Sequence, residues 1–512
     1  MPDKIAHRSF VENYRRDPTI SAMMLDQDPP RLPFSRYASL HYVIASKELS
    51  PSQFQVREIL MTTVGKTRLM GKLVALASVL LVFSWSVFAQ EAPKQTPTPP
   101  VTPQQQIQIL TPPAQEPTPE TERPLYGYQG VLVETLDGKH VASQFPDQTF
   151  NPASTIKLAT ALVALQTLGP DHRFATGIWT DGVIDKSTGR IEGNVYISGR
   201  DPSFHFEHAI LVARELNKLG IREISGDLIV SPGFTMNFSS SAKRSGEQLY
   251  DTLDSTLRNA AAVRAWNYER TVLKDGVEVV PSVAVMGGVA VGPVSPNAKL
   301  LLTHKSSKLV DILKVLLCYS NNFMAERIGE SLGGPGSVQQ QLIAQLGIGP
   351  TELRLSSLSG LGVNRVSPRV MLKVYRALRT ELRKHRLDPS SIMPVAGIDP
   401  GTLEDRFTGL PWRGSVIAKT GTLIRTDGGA SSLVGQLRTA SGEVLLFAIM
   451  NQGGSVSRFR ENQDYLVMLI QNTRGGPKAF DYKPVAMAMQ LSHTESTVAV
   501  SDEYEPKPKS QQ

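Results

Sequence analysis

Phe150 to Gly169 reads FNPASTIKLATALVALQTLG, and the placement of this stretch decides the fold. Pro152 suits the opening of a helix, because its missing N–H is not needed in the first turn. Gly169-Pro170 stops that helix after Leu168. From Leu158 to Leu168 there is no charged residue, so the helix sits in apolar surroundings. At its mouth stand Ser154 and Lys157, three positions apart and therefore on one face. Two readings of Lys157 stay open on the helix alone: a surface lysine whose head snorkels to water, or a buried base.

Working outward, strand-like runs precede the helix. Tyr126 to Thr135 and Lys139 to Phe145 flank the turn Leu136-Asp137-Gly138. Three more strand-like runs lie far down the chain: Ser415 to Leu423, Ser431 to Arg438 and Val444 to Asn451. Between them Lys308 to Leu332 and Pro368 to Arg386 read as helical, and Ser457 to Thr473 closes with another helix. Strands at both ends around central helices predict an α/β sandwich, with one antiparallel sheet built from both chain ends. Residues 172–300 are strand-rich, with one helical stretch from His205 to Leu219, and are expected to form a smaller inserted domain.

The chain has 512 residues, 41% of them apolar and 20% charged, which excludes a wholly disordered or collagen-like chain and a polytopic membrane protein. One cysteine, Cys318, allows no internal disulfide. A net charge of +7 on this length, without a basic stripe interleaved with aromatics, gives no support to nucleic acid as a partner. Leu73 to Gln90 is an uncharged apolar run preceded by Lys66, Arg68 and Lys72 and ended by Val87-Phe88-Ala89. That is the pattern of a secretory signal, and it is also long enough to span a bilayer. Residues 61–90 are therefore expected to be a signal peptide or a signal anchor, which places the chain beyond residue 90 in the periplasm or another extracytoplasmic space. Membrane contact is expected only through residues 73–90, if they stay uncleaved. Residues 1–60 precede this leader and are expected to be a disordered tail or to lie upstream of a true start at Met61 or Met70. Ten prolines in residues 91–124 predict an extended linker, reaching roughly 100 Å at ~3.1 Å per residue. The catalytic domain is expected over 125–171 and 301–479, with 480–512 as a loose polar tail.

Three short strings carry the chemistry: Ser154-Thr155-Ile156-Lys157, Ser320-Asn321-Asn322 and Lys419-Thr420-Gly421, which runs on into Thr422. The first two are common patterns. Ser240 and Lys243 also make an S-x-x-K, in a polar stretch read as having no helix behind it, and Ser295-Pro296-Asn297 also makes an S-x-N. The order S-x-x-K, S-x-N, K-T-G is far more specific; it resembles the set of class A β-lactamases and penicillin-binding proteins. The 166 positions between Ser154 and Ser320 exceed the gap of a simple β-lactamase.

On these strings the chain resembles the D-alanyl-D-alanine carboxypeptidase/endopeptidase family of class C penicillin-binding proteins. Gly199-Arg200-Asp201-Pro202, Gly226-Asp227, Pro394-Val395-Ala396-Gly397, Ala418 to Leu423 and Leu433-Val434-Gly435 are similar to further strings of that family. The resemblance implies a β-lactamase/transpeptidase-like α/β sandwich and a serine DD-peptidase acting on peptidoglycan stem peptides, with β-lactams as covalent inhibitors and no cofactor or metal. It implies that Ser154 is the nucleophile and Lys157 its base, and that Ser320 relays a proton. Asn322 would hold the substrate amide, while Lys419, Thr420, Gly421 and Thr422 form the carboxylate side of the site. One departure stands out: the family's D-G-S-G-L-S-R is Ser357-Leu358-Ser359-Gly360-Leu361-Gly362-Val363 here, without its Asp and Arg.

The residues themselves demand acyl transfer. A serine hydroxyl needs a base, and none of the nine histidines sits in a recognisable triad or H-E-x-x-H motif. His205 and His208 read as a polar helix start, and Cys318 as a small buried hydrophobe. An ordinary lysine near 10.4 is neutral in only about one part in 2,500 at pH 7, so Lys157 needs burial and a nearby cation to serve. A β-lactamase or esterase on the same scaffold, and a non-catalytic peptidoglycan-binding protein, are the alternatives.

Overall fold

The computed structural model describes residues 127–273 and 279–499. The predicted tail 1–60, leader 61–90 and linker 91–124 lie outside the described residues. Among the described residues no helix is long and apolar enough to cross a membrane.

Tyr128–Thr135, the first described strand, pairs antiparallel with Val444–Gln452, more than 300 residues away, with Tyr128 opposite Gln452 and Thr135 opposite Leu445. The five-stranded sheet runs Val416–Leu423, Ala430–Arg438, Val444–Gln452, Tyr128–Thr135, His140–Gln144. Both of its faces are covered, and the period-2 alternation of a strand divides its side chains between them. In Val444–Gln452, Leu446, Ala448 and Met450 enter a core with Leu158, Leu162 and Tyr375. Leu445, Phe447 and Ile449 enter a second core with Val467 of the helix Val456–Asn472. The sheet is thus the middle layer of a sandwich. The helix Lys157–Leu168 lies in the larger core with every residue from Lys157 to Leu165 buried.

The stretch predicted as helical over Lys308–Leu332 is two helices, Leu309–Tyr319 and Asn322–Ser331. They break at Ser320, which takes the left-handed conformation at φ 58° and ψ 40°. The Asn321 side chain accepts from Met324 N at 2.9 Å and caps the second helix. The S-x-N string is therefore an elbow between helices.

A six-stranded sheet runs Val289–Val291, Leu228–Val230, Val195–Gly199, Ala175–Thr180, Lys299–Lys305, Glu495–Val498. It shares a core with Phe206–Lys218 and Ala242–Leu253. Two helices in this region, Ala242–Leu253 and Ala260–Leu273, were not anticipated from the sequence. The polar run before Lys243 does have a helix behind it: Ser241 caps that helix by accepting from Arg244 N at 3.2 Å. The signal was masked because the helix buries few large apolar side chains, Leu249 and Leu253 chief among them.

The tail expected to be loose from residue 480 is ordered through 499. Met487 and Leu491 are buried in the main core, and Phe480 and Tyr482 pack against it. Glu495–Val498 forms an antiparallel edge strand with Lys305 opposite Glu495 and Leu302 opposite Val498. Its side chains are all exposed, so a backbone ladder orders it and no apolar pattern announces it. Residues 500–512 lie outside the described residues.

Candidate active site

Ser154 sits in a short 3-10 turn, Ala153–Ile156, that leads directly into the helix Lys157–Leu168. Ala153 has a positive φ of 47°, a strained state for a residue with a Cβ. Its N–H donates to Asn151 Oδ1 at 3.0 Å. Asn151 Nδ2 in turn donates to Gly362 O at 3.0 Å and to Asp427 Oδ2 at 2.8 Å. Arg365 clamps Asp427 through two bonds of 2.7 and 3.1 Å. A chain of charge-assisted bonds therefore anchors the turn that presents the serine.

Lys157 is fully buried, which decides between the two readings of its side chain: it does not snorkel. Its Nζ lies 2.8 Å from Ser154 Oγ and 2.7 Å from Asn322 Oδ1, and it also donates to the backbone carbonyl of Ser359. Burial, assisted by the positive charge of Lys419, holds the Lys157 amine well below its ordinary value; Glu326 opposes this. The partner types complete the picture. Asn322 Oδ1 and Ser359 O can only accept, so each takes one N–H. A neutral amine has two N–H groups and one lone pair, and the lone pair is left for the Ser154 hydroxyl.

Lys419 is also fully buried. Its Nζ donates to Ser320 Oγ and to Thr420 O, each at 2.8 Å. Burial lowers its amine to about 7. The two lysine–serine pairs are tied together by the elbow, since Ser320 and Asn322 are two residues apart.

Two glycines allow these parts to meet. A Cβ on Gly421 would lie 2.5 Å from Pro152 O and 3.1 Å from Ser154 N, so only glycine lets the edge strand Val416–Leu423 approach the serine turn. Gly360, at φ +95°, would place a Cβ 2.1 Å from Ala153 O. The loop carrying Gly360 is fixed by Glu326, whose Oε1 accepts from Ser359 N at 2.8 Å. Thr422, next along the edge strand, accepts from Arg460 Nη2 at 2.8 Å.

The edge strand is covered at one end only. Ala396 N donates to Val416 O at 2.9 Å, and Val395 bridges Ile417. The Lys419–Leu423 end pairs only with Ala430–Arg438 among the described residues, leaving an open side where an extended peptide can lie along it.

The structure thus gathers Ser154, Lys157 and Asn322 in one cluster, joins Ser320 with Lys419 in a second, and places Thr420, Gly421 and Thr422 on the strand between the serine turn and Arg460. The decoys lie elsewhere. Lys243 is exposed and faces Glu247 at 3.8 Å, and Asn297 sits in an exposed turn with its N–H on Ser295 Oγ at 3.4 Å. Cys318 is buried with its thiol pushed up to about 12 by burial, an inert side chain. His205 and His208 stand at the start of Phe206–Lys218, His208 accepting from His205 N at 3.4 Å. Among the described residues no group of three or more His, Cys, Asp or Glu could hold a metal ion. Ser359 lies in the departing string Ser357–Val363, but the sequence gives no role to Asn151, Glu326 or Arg460. Only Glu326 left a signal there, four residues after Asn322 on the same helix face.

Known proteins are similar to this chain in sequence and in fold. A D-alanyl-D-alanine carboxypeptidase from Actinomadura sp. (strain R39) is 26% identical over 425 residues, covering 64% of this chain and 77% of its own. The D-alanyl-D-alanine carboxypeptidase DacB of Haemophilus influenzae is 24% identical over 426 residues, covering 64% of this chain and 85% of its own. Among solved structures, the predatory peptidoglycan endopeptidase Bd3459 of Bdellovibrio bacteriovorus superposes with a TM-score of 0.60 at 22% identity, over 70% of this chain and 96% of that one. Its penicillin G-acylated form, in complex with an immunity protein, gives 0.59 at 23% identity over the same shares. At these identities the structures establish the sandwich fold. The model of the D-Ala-D-Ala carboxypeptidase 3 (S13) family matches residues 121–265 and 254–473, well over half of the chain. With that match, the chain belongs to the D-Ala-D-Ala carboxypeptidase 3 (S13) family.

Proposed function

We propose that this chain is an exported serine DD-peptidase that binds penicillin. It would remove the terminal D-Ala of peptidoglycan stem peptides and open D-Ala–diamino acid cross-links through an acyl-enzyme on Ser154. The observation that carries this reading is the buried amine of Lys157, 2.8 Å from Ser154 Oγ and bonded also to Asn322 Oδ1 and Ser359 O, two acceptors that would take both N–H groups of the neutral form. A lysine left with only a lone pair toward a serine is a general base.

In this reading Ser154 Oγ attacks the carbonyl of the penultimate D-Ala while its proton passes to Lys157. The backbone N–H groups of Ser154 and Thr422 face the developing oxyanion. Ser320 passes its proton to the departing amine and takes one from Lys419, to which it is hydrogen-bonded. Asn322 offers its amide N–H to the substrate backbone, and Thr420 and Thr422 offer hydroxyls to the carboxylate beside the scissile bond. Water then attacks the ester, its proton passing through Ser320 to Lys419 while Lys157 returns a proton to Ser154 Oγ. The leader over residues 73–90 supports a site of action in the periplasm or another extracytoplasmic space, with or without a retained membrane anchor.

Incubating the purified protein with a penicillin should give a one-to-one adduct that peptide mapping places on Ser154, absent in Ser154→Ala. Mass spectrometry of muropeptides after incubation should show loss of D-Ala and a fall in cross-linked dimers. An adduct on another residue, or intact muropeptides after prolonged incubation, would overturn the reading.

A further inference from the structure

The carboxylate placed beside Thr420 and Thr422 needs a cation. Lys419 suits that task poorly: it has no exposed surface and is committed to Ser320 Oγ and Thr420 O. Burial also lowers its amine to about 7, so a large part of it is neutral at neutral pH.

Arg460 stands at the end of the same strand, five residues into the helix Val456–Asn472. Its Nη2 donates to Thr422 Oγ1 at 2.8 Å. The residue is exposed, and among the described residues it makes no ion pair. The acid one turn on, Asp464, is taken by Arg406 at 2.9 and 2.5 Å. A guanidinium is charged at every relevant pH and carries five donors in a planar fork that matches a carboxylate. Thr422 accounts for one of them.

The direction of that bond adds a second effect. Arginine has no acceptor, so its N–H must occupy a lone pair of Thr422 Oγ1. The hydroxyl hydrogen of Thr422 is then turned away from Arg460 and remains available to an anion. Thr420 and Thr422 are two residues apart on one strand and project to the same side. Two hydroxyls and a forked cation therefore converge at the open end of the edge strand.

We infer that Arg460 is a specificity-determining residue. Its guanidinium, with the Thr420 and Thr422 hydroxyls, binds the free carboxylate next to the scissile bond and selects acids over their esters or amides. This inference rests on the serine DD-peptidase reading.

The test compares two acyl donors that differ only in that carboxylate: benzylpenicillin and its methyl ester. Second-order acylation constants are read by intact-protein mass spectrometry on the full chain. Native protein should prefer the acid. In Arg460→Ala the acid-to-ester ratio should fall roughly 10- to 100-fold, the range of one charge-assisted hydrogen bond. Arg460→Lys should keep part of the ratio, and the uncharged, polar Arg460→Gln should not. An Arg460 that merely ties the helix to the sheet would slow both donors alike, so an unchanged ratio in both Arg460→Ala and Arg460→Gln overturns the inference. Failure of the reading beneath it looks different: native protein would then be acylated by neither donor.

Discussion

Asn322 Oδ1 lies 2.7 Å from Lys157 Nζ, which puts a side-chain carboxamide in direct contact with the base. A neutral carboxamide accepts an N–H there without charging the amine. Asn322→Asp would place a carboxylate at nearly the same point and favour protonated Lys157. Acylation by penicillin at neutral pH should fall, because a larger share of the Lys157 amine is then protonated. Lys157 must be neutral to act, so its protonation sets the acid limb of the profile. That limb should move to higher pH in Asn322→Asp, so that the deficit against native protein shrinks as pH rises. The check is the pH dependence of the acylation constant between pH 6 and 9.5. A loss of equal size at every pH would assign Asn322 a purely substrate-binding part.

Lys419 carries the opposite bargain between stability and chemistry. Its amine is lowered by burial from 10.5 to about 7. Between those two values the unfolded chain binds more protons than the native one, so this residue makes stability rise with pH across that window. The cost is fully present below about pH 7 and gone above about 10.5; over the whole window it is on the order of 5 kcal/mol. Lys419→Met removes it. The variant should fail to acylate normally, yet unfold at a higher temperature than native protein at pH 6, with the gap closing by pH 10. Calorimetry at pH 6, 8 and 10 reads this directly. A gap that does not depend on pH would mean that the buried charge costs the native fold nothing.

The parts of this site that the sequence announced are those whose chemistry needs a fixed residue type at a fixed spacing. Ser154 and Lys157 must share one helix face, and the uncharged run Leu158–Leu168 behind them signals burial. The five-stranded sheet was legible because both faces of Val444–Gln452 are covered and its turns are rich in glycine. What stayed hidden depends on contacts between distant segments. Nothing around Arg460 in the sequence points to Thr422, 38 residues earlier. Nothing in the polar run Glu495–Val498 shows that its backbone completes a sheet begun at Ala175. The left-handed elbow at Ser320 was also invisible, because both flanking segments are good helix formers and only the cap at Asn321 marks the break.

Gly360 tests whether the altered loop Ser357–Val363 is a working part of the site. The loop supplies Ser359 O to Lys157, and Glu326 holds it by accepting from Ser359 N at 2.8 Å. Gly360 has φ +95°, and a Cβ there would sit 2.1 Å from Ala153 O and 2.7 Å from Ser154 N. Both atoms are backbone, so no side-chain rotation relieves the contact. Gly360→Ala must therefore push the loop and the serine turn apart, with strain of about 1–3 kcal/mol from the left-handed conformation added to the clash. Moving Ser359 O away frees an N–H on Lys157 and opens the amine to water, which raises its affinity for a proton. The variant should lose about 2–4 kcal/mol of stability. In the fraction that stays folded, acylation should be slower at pH 7 than at pH 9 by a wider margin than in native protein. Gly362→Ala provides the comparison: its φ is +74°, but the nearest atom to an added Cβ is the Ser356 hydroxyl oxygen at 3.4 Å. Backbone strain without the clash should cost stability there and leave the pH profile of acylation in place. If the two variants behave alike, the close approach of Gly360 to the serine turn is not what sets the Lys157 environment.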